Sequence, residues 1–287
     1  MPMRAALLAH PAGHSLSPVM HNAAFAHLGI DATYEAWDVP PERLAEALER
    51  LRQDDMLGAN VTVPHKTAVM DGLDRLTDRA QAVGAVNLIV RDGNELVGDN
   101  QDTEGFLRSL EVEGVTPAGK RVALLGAGGA ARAIGWALVH AGCRELRIWN
   151  RTAARAEELA SSLRVDARDT IIVSASQLDD LRDSDLWIQT TTLGMRKGGQ
   201  DPDTSPVPGD GWRSLLGDAI DPVAVDIVYR PLRTPFLRSA TSAGMQTING
   251  SGMLLYQGAA AFEAWTGKTA PVDVMRKALH DALEDES

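Results

Sequence analysis

Arg121-Val122-Ala123-Leu124-Leu125 runs directly into Gly126-Ala127-Gly128-Gly129-Ala130-Ala131, and this stretch decides the fold. The first five residues read as a buried strand, and the glycines read as a tight turn. A helix is expected from there to Ala141, with Gly142 as its C-terminal cap. Glu145–Trp149 is the next strand and Thr152–Leu163 the next helix, which completes a βαβ unit. Gly126, Gly128 and Ala131 fit the spacing G-x-G-x-x-G/A in its required context of strand, turn and helix. Glycine there lets the backbone approach a pyrophosphate, and the helix start offers unpaired N–H groups and a partial positive charge.

The end of the second strand selects the dinucleotide. An NAD site needs a carboxylate at that point to accept from the ribose hydroxyls. This chain has Asn150-Arg151-Thr152, with Arg155 one helical turn further on. Two guanidinium groups suit a 2′-phosphate, so the expected cofactor is NADP. The bland alternative makes Arg151 and Arg155 an exposed helix face paired with Glu157 and Glu158.

Working outward, strands are expected at Ile171–Val173, Leu186–Thr190 and Val223–Val228, with a surface loop over 197–211. Gly252–Trp265 and Val272–Glu284 have helical spacing and no strand of their own to cover, so they should pack back on an earlier part of the chain. The first hundred residues also alternate. Arg4–Ala9, Thr33–Val39 and Gly58–Thr62 read as strands, and Pro41–Leu51 as a helix. Ser17-Pro18 reads as the N-cap and first position of a helix, and another helix start is expected near Pro64. Val86–Arg91 and Glu95–Gly98 flank Asp92-Gly93-Asn94 as a hairpin at one edge of a mainly parallel sheet. The expected fold class is therefore α/β, with two α/β domains.

Composition supports this and narrows the function. At 287 residues the chain is long for one core, and 44% hydrophobic residues with only 5% aromatics suit parallel strands under helices. A net charge of −11 argues against a nucleic-acid partner, since phosphate contacts need clustered Lys and Arg. The lone Cys143 makes neither an internal disulfide nor a cysteine zinc site. Apolar runs fall short of the ~20 residues of a membrane helix, so a cytoplasmic protein with small-molecule partners is expected, as a monomer or homodimer.

Four segments place polar residues where strands end and helices begin: Ser15-Leu16-Ser17-Pro18, Gly58-Ala59-Asn60-Val61-Thr62-Val63-Pro64-His65-Lys66, Gly84-Ala85-Val86-Asn87 and Gly98-Asp99-Asn100-Gln101-Asp102. Ligands of open α/β sheets bind beyond those strand ends. Converging hydroxyls, amides and charges suit a compact polyol carrying a carboxylate. Each also has a plain reading: Ser17 and Asp102 as helix caps, Asn60 and Asn100 as turn residues, Lys66 as a solvated lysine. His14, His21 and His65 lack metal-ligand spacing and are expected as helix-end or supporting residues, so no metal is expected.

In this order the segments resemble the shikimate dehydrogenase family: Ser-Leu-Ser-Pro, Asn-Val-Thr-Val-Pro-His-Lys, Gly-Ala-Val-Asn, the acid Asp102, Gly-Ala-Gly-Gly-Ala at 126–130 and Asn-Arg-Thr at 150–152. Asp226-Ile227-Val228-Tyr229-Arg230-Pro231 and the run from Asn249-Gly250 through Met253-Leu254 to Gln257-Gly258 match its later motifs. The resemblance covers essentially the whole chain. It implies reversible hydride transfer between NADPH and C3 of 3-dehydroshikimate. It implies an N-terminal substrate domain, 1–103 completed by 251–287, joined across a cleft to a Rossmann-type NADP-binding domain, 104–250. Ser15, Ser17, Asn60, Thr62, Asn87, Tyr229 and Gln257 would hold substrate, with Ser15, Ser17 and Tyr229 on its carboxylate. Lys66 and Asp102 would flank the reacting oxygen as the catalytic pair. Gly126, Ala127, Gly128, Gly129, Ala130, Asn150, Arg151, Thr152 and Arg155 would bind NADP, with Ile227 and Gly250 near the nicotinamide and Asp78 at the cleft edge.

Two segments depart from the family pattern. Gln101 replaces a small hydroxyl residue beside the acid, and Gln189-Thr190-Thr191-Thr192 stands where Asn-Ala-Thr-Ser is commoner. The rival readings are a quinate or aminoshikimate dehydrogenase paralogue and a non-catalytic NADP-binding sensor; retention of Lys66 and Asp102 argues against the sensor.

Overall fold

The computed structural model describes residues 2–165, 167, 169–195 and 203–284. The chain divides into two compact units, 1–105 with 254–287, and 106–253. Part of the loop expected over 197–211 lies outside the described residues.

The first unit contains β1 (Met3–Ala9), α1 (Ser17–His27), β2 (Ala32–Asp38), α2 (Leu44–Leu51), β3 (Met56–Val61), β4 (Arg75–Leu76), α3 (Asp78–Val83), β5 (Leu88–Asp92) and β6 (Glu95–Asp99). The six strands form one sheet in the order β2-β1-β3-β5-β6-β4. β1 is parallel to both β2 and β3, whereas β5 is antiparallel to β3 and to β6. The hairpin lies one strand in from the edge, because the two-residue β4 pairs parallel with β6 outside it. Ala6, Leu8, Leu48, Leu51, Met56, Ile89 and Leu96 share one buried cluster. On α1 the buried side chains are Ser17, Met20, His21, Ala24 and Phe25, an i, i+3, i+4 stripe.

Two local expectations are corrected. The chain at Pro64 forms turns and then a short 3₁₀ segment, Ala68–Gly72, instead of an α-helix. The His65 ring, buried and 2.7 Å from the Val39 carbonyl, and the Val86 N–H donating to the Lys66 carbonyl at 2.7 Å hold it in that course. Ser17 lies inside the first turn of α1, whose N-cap is Leu16 with no side-chain cap bond. The helix start is served instead by Ser15, whose Oγ accepts the Ser17 N–H at 3.2 Å.

The chain leaves the first unit within α4 (Asp102–Val112) and builds the second from β7 (Arg121–Leu125), α5 (Gly129–His140), β8 (Glu145–Trp149), α6 (Ala153–Arg164), β9 (Ile171–Ala175), β10 (Leu186–Gln189), α7 (Trp212–Leu216), β11 (Val223–Asp226), α8 (Pro235–Ser242) and β12 (Gln246–Ile248). Its sheet runs β12-β11-β10-β7-β8-β9 with every pairing parallel. Read from β9, this is the 3-2-1-4-5-6 order of a Rossmann fold. Side-chain alternation on β7 sends Val122 and Leu124 into one buried cluster with Ile134, Leu138 and Leu159, and Ala123 and Leu125 into another with Trp187, Trp212 and Phe236. A strand covered on both faces has to be apolar where it is buried, which is why Val122–Leu125 reads so plainly.

The chain returns to the first unit within α9 (Ser251–Thr266) and ends in α10 (Val272–Glu284). Both pack back on that unit. Phe262 meets Phe25 at 5.2 Å between ring centroids, the Trp265 indole donates to the Ile89 carbonyl at 3.0 Å, and α10 lies against α1.

Candidate active site

In the first unit the strand order turns about β1, with β2 on one side and β3 on the other, so a crevice is expected beyond the carboxyl ends of β1 and β3. The Thr62 N–H donates to the Leu8 carbonyl at 3.0 Å and the His10 N–H to the Val63 carbonyl at 3.2 Å, which keeps the two strand ends together. Asn60 and Thr62 leave β3 here, and Ser15 and Ser17 follow β1.

The chemistry converges on Lys66. Its ammonium donates to Asp102 Oδ2, and the two side chains are only 13% and 5% exposed. The second carboxylate oxygen, Oδ1, accepts from Asn87 Nδ2 at 2.8 Å. Asn87 is itself fixed at both ends: its Oδ1 accepts the Gln101 N–H at 2.7 Å, and its Nδ2 lies 3.4 Å from Gln257 Oε1. The Asp102 N–H donates to Asn100 Oδ1 at 3.1 Å, and Asn100 Nδ2 donates to the Ala85 carbonyl at 2.9 Å. Neither member of the Lys66–Asp102 pair is tolerable at this depth without the other. Lys66 is therefore not a solvated lysine, and Asp102, although first in α4, spends its carboxylate on Lys66 and Asn87.

Asn60 is buried beside this group. Its Nδ2 donates to the Asn87 carbonyl at 3.3 Å, and its Oδ1 accepts from the Tyr34 hydroxyl at 2.9 Å. Thr62 and Ser15 are half-buried and Ser17 is buried. Asp78 is exposed in the first turn of α3 and belongs to this unit, away from the glycine turn in sequence and in unit. Gln101 reaches sideways: its Nε2 donates to Asp99 Oδ2 at 2.9 Å, while Asp99 also takes Arg79 and the Thr77 hydroxyl. Burial pushes the Asp99 carboxyl up, but those donors and the Asn100 N–H outweigh it and hold it below the usual carboxylate range. The longer amide at this departure from the family pattern thus engages Asp99, not Asp102.

In the second unit the order reverses between β7 and β10, and the glycine turn sits at the end of β7. Gly126 has φ +120°, and a Cβ there would overlap the Thr190 hydroxyl. That hydroxyl and the Thr190 N–H both donate to the Leu125 carbonyl at 2.8 Å. Gly128 is the N-cap of α5, exposed, with open space where a side chain would stand. Ala127, Gly129 and Ala130 are half-buried around it. The adjacent strand β8 brings Asn150-Arg151-Thr152 alongside, since the Gly126 N–H donates to the Trp149 carbonyl at 2.8 Å. Asn150 Nδ2 donates to the Thr152 carbonyl at 2.9 Å and shapes that corner.

Arg151 and Arg155 are exposed and make no ion pair among the described residues. The acids that would pair with them on a bland helix face are engaged elsewhere, Glu157 with Arg164 and Glu158 with Arg132. A helix start without a side-chain cap, an open glycine and two uncommitted guanidiniums fit the phosphates of a dinucleotide, including one on the 2′ position.

Ile227 and Gly250 come together within the second unit: a Cβ on Gly250 would strike the Ile227 carbonyl, so only glycine fits. Tyr229 follows β11 in this unit.

Behind this face lies a group the motifs did not announce. Asp226 is buried, accepts from the Thr234 hydroxyl at 2.7 Å and the Val228 N–H at 2.9 Å, and is also bonded by Gln189. Burial pushes its carboxyl up to about 7 against those hydrogen bonds. Gln189, fully buried, also accepts the Thr191 N–H and donates to the Leu193 carbonyl at 3.0 Å, and so fixes the loop after β10. An acid ending the apolar run Val223–Asp226 was the available signal. Tyr34, the partner of Asn60, was also missed; it is buried on β2, whose burial does not alternate and so gave no periodic signal.

Comparison with known proteins places both units. Residues 7–89 match the shikimate dehydrogenase substrate binding domain, 111–193 the shikimate / quinate 5-dehydrogenase domain, and 250–280 the shikimate 5′-dehydrogenase C-terminal domain. Shikimate dehydrogenase (NADP(+)) of Moorella thermoacetica is 48% identical over 97% of this chain and 92% of its own. Shikimate 5-dehydrogenase of Thermus thermophilus, solved in complex with NADP(H) and shikimate, is 39% identical with a TM-score of 0.86, covering 98% of this chain and 100% of that one. The ligand-free 5-ketofructose reductase of a Gluconobacter strain shares the fold at 33% identity and a TM-score of 0.82, over 98% and 99% of the two chains. With a Lys–Asp pair buried at one strand-end crevice and an open glycine turn flanked by arginines at the other, the chain belongs to the shikimate dehydrogenase family.

Proposed function

We infer that this chain is an NADP-dependent oxidoreductase that interconverts 3-dehydroshikimate and shikimate by reversible hydride transfer at C3. The observation that carries the reading is the buried Lys66–Asp102 pair, set among Asn60, Asn87 and Gln257. Bound nicotinamide supplies or accepts the hydride. The protein must manage the charge on oxygen. As the C3 ketone is reduced, negative charge grows on that oxygen, and Lys66 Nζ stabilises it and delivers the proton. Asp102 holds the ammonium through Oδ2 while Asn87 locks Oδ1, so the donor is already oriented when charge develops. In the oxidative direction Lys66 takes the proton back.

Ser15 and Ser17 are assigned to the substrate carboxylate, and Asn60, Thr62, Asn87 and Gln257 to its hydroxyls. Gly126–Ala130 and the start of α5 would hold the pyrophosphate, Arg151 and Arg155 the 2′-phosphate, and Asn150 and Thr152 the adjoining ribose. Ile227 and Gly250 are assigned to the nicotinamide side. Asp78, exposed on α3, is the weakest member of the set. Action in the cytoplasm, as a monomer or homodimer, is part of the proposal; among the described residues no helix is long and apolar enough to cross a membrane.

The decisive experiment is a spectrophotometric assay of the purified chain with shikimate, quinate and reduced or oxidised fructose analogues, each with NADP and NAD. Shikimate with NADP should give the highest kcat/KM. Dominant turnover of quinate with NAD would defeat both halves of the reading, and NADP binding without any turnover would favour the sensor.

A further inference from the structure

The amide of Asn60 has two ways to face a ligand, as a donor or as an acceptor, and its surroundings choose. Its two neighbours are the Asn87 carbonyl at 3.3 Å, which only accepts, and the Tyr34 hydroxyl at 2.9 Å. Flipping the amide would set Oδ1 against the Asn87 oxygen, which already takes the Val61 N–H at 2.8 Å. Nδ2 therefore belongs on the Asn87 side, and Oδ1 is spent on Tyr34. The second hydrogen on Nδ2 is what Asn60 has left to offer.

Tyr34 is held from behind. His21 lies on α1 four residues after Ser17, hence on the same helix face, and its ring stacks on the Tyr34 ring at 4.4 Å and 6°. Trp265 from α9 closes the group at 5.3 Å from His21 and 5.9 Å from Tyr34. Both His21 ring nitrogens are buried without a hydrogen-bond partner, and burial pushes the imidazole down to about 3. His21 is thus a neutral, flat platform throughout the working pH range, and its contribution to Tyr34 is made by its ring face.

We propose that Tyr34, seated on His21, is a positioning residue for the reaction: it anchors the Asn60 carbonyl so that the amide is held with its free N–H directed to a substrate hydroxyl. This rests on the assignment of Asn60 to substrate binding. Removing the Tyr34 hydroxyl leaves Asn60 Oδ1 buried and unsatisfied and leaves the long contact to the Asn87 carbonyl as the one hydrogen bond holding the amide.

The test is a double-mutant cycle in the full chain with Tyr34→Phe, Asn60→Ala and the pair, reading kcat, KM for shikimate and KM for NADP. Tyr34→Phe alone should raise KM for shikimate roughly five- to tenfold with KM for NADP unchanged, and it should add almost nothing in the Asn60→Ala background. Equal losses in both backgrounds, or equal rises in both KM values, would overturn the proposal. The Asn60 side-chain amide resonance in a ¹⁵N-labelled sample without substrate is the second measurement. Tyr34→Phe should displace it and leave that of Asn100 in place, whereas an unmoved Asn60 signal would sink the idea. Absence of shikimate turnover by the unmodified chain would instead count against the proposed reaction, and the resonance would still decide the role of Tyr34.

Discussion

The two strand-end crevices of this protein are built on opposite plans. In the first unit the proposed catalytic side chains are buried and tied to one another, Lys66 to Asp102, Asp102 to Asn87, Asn87 to Gln257, and Asn60 to Tyr34. In the second unit the proposed ligand-facing groups are a bare helix start, an exposed Gly128 and two exposed arginines, and Asp226, Gln189 and Thr234 form a separate buried polar network. The difference follows from the work. Chemistry needs a proton donor fixed to within fractions of an ångström before charge develops. Anion binding needs only backbone N–H groups and cations that can close on a phosphate. The contrast also resolves how a chain of net charge −11 can bind two anionic ligands: the attraction is local.

The plan can be broken most severely at Asp102. Asp102→Asn should lower kcat by about two orders of magnitude or more, because the Lys66 ammonium loses its orienting charge. The same change should cost a few kcal/mol of stability, since a buried cation is left without its counter-charge. Steady-state kinetics and chemical denaturation check the two halves, and a variant with normal kcat would show that the pair is only structural.

Behind the cofactor face, Asp226 gives a pH signature. Its folded value of about 7 stands above the ordinary 3.8. Between these values the unfolded chain releases a proton that the folded protein keeps, so this group lowers stability as pH rises through that window, and its effect levels off above it. The shift corresponds to a contribution on the order of 4 kcal/mol at most. Asp226→Asn removes the titration, so its stability relative to the unmodified chain should improve as pH rises from about 4 to about 7. A pH-independent difference between the two denaturation series would contradict the burial argument.

At the exposed face the effects should be smaller and confined to binding. Arg151→Asp should raise KM for NADP roughly tenfold or more and leave KM for NAD within about twofold, with kcat for shikimate oxidation preserved. Equal losses with both dinucleotides would remove Arg151 from the 2′-phosphate.

The same contrast explains what could be read from sequence. β7 was legible because a strand covered on both faces is almost uniformly apolar, and β8 because buried Leu146 and Ile148 alternate with half-buried Glu145, Arg147 and Trp149; a glycine or polar corner ends each. The three-residue β12 and two-residue β4 are too short to carry any period, and they exist only through pairing with β11 and β6. The helix expected at Pro64 failed because distant partners, Val39 and Val86, hold that segment in turns. The polar motifs pointed to Asn60, Asn87 and Asp102, which stand at strand or helix ends, and to Lys66, which lies in the turns after β3. Tyr34 stayed hidden and His21 was read only as a helix-end or supporting residue, because a stack between a helix and a strand thirteen residues apart leaves no local pattern. Asp226 was quoted only as part of a motif; its burial belongs to the folded sheet.

The most direct test of the division between chemistry and binding is kcat at saturating shikimate and NADP for Lys66→Ala, measured beside the NADP dissociation constant of the same variant. The account predicts a fall in kcat of about 10²–10⁴ with NADP affinity unchanged within about twofold. A Lys66→Ala enzyme that keeps nearly full kcat, or that loses kcat only in proportion to its NADP affinity, would contradict it.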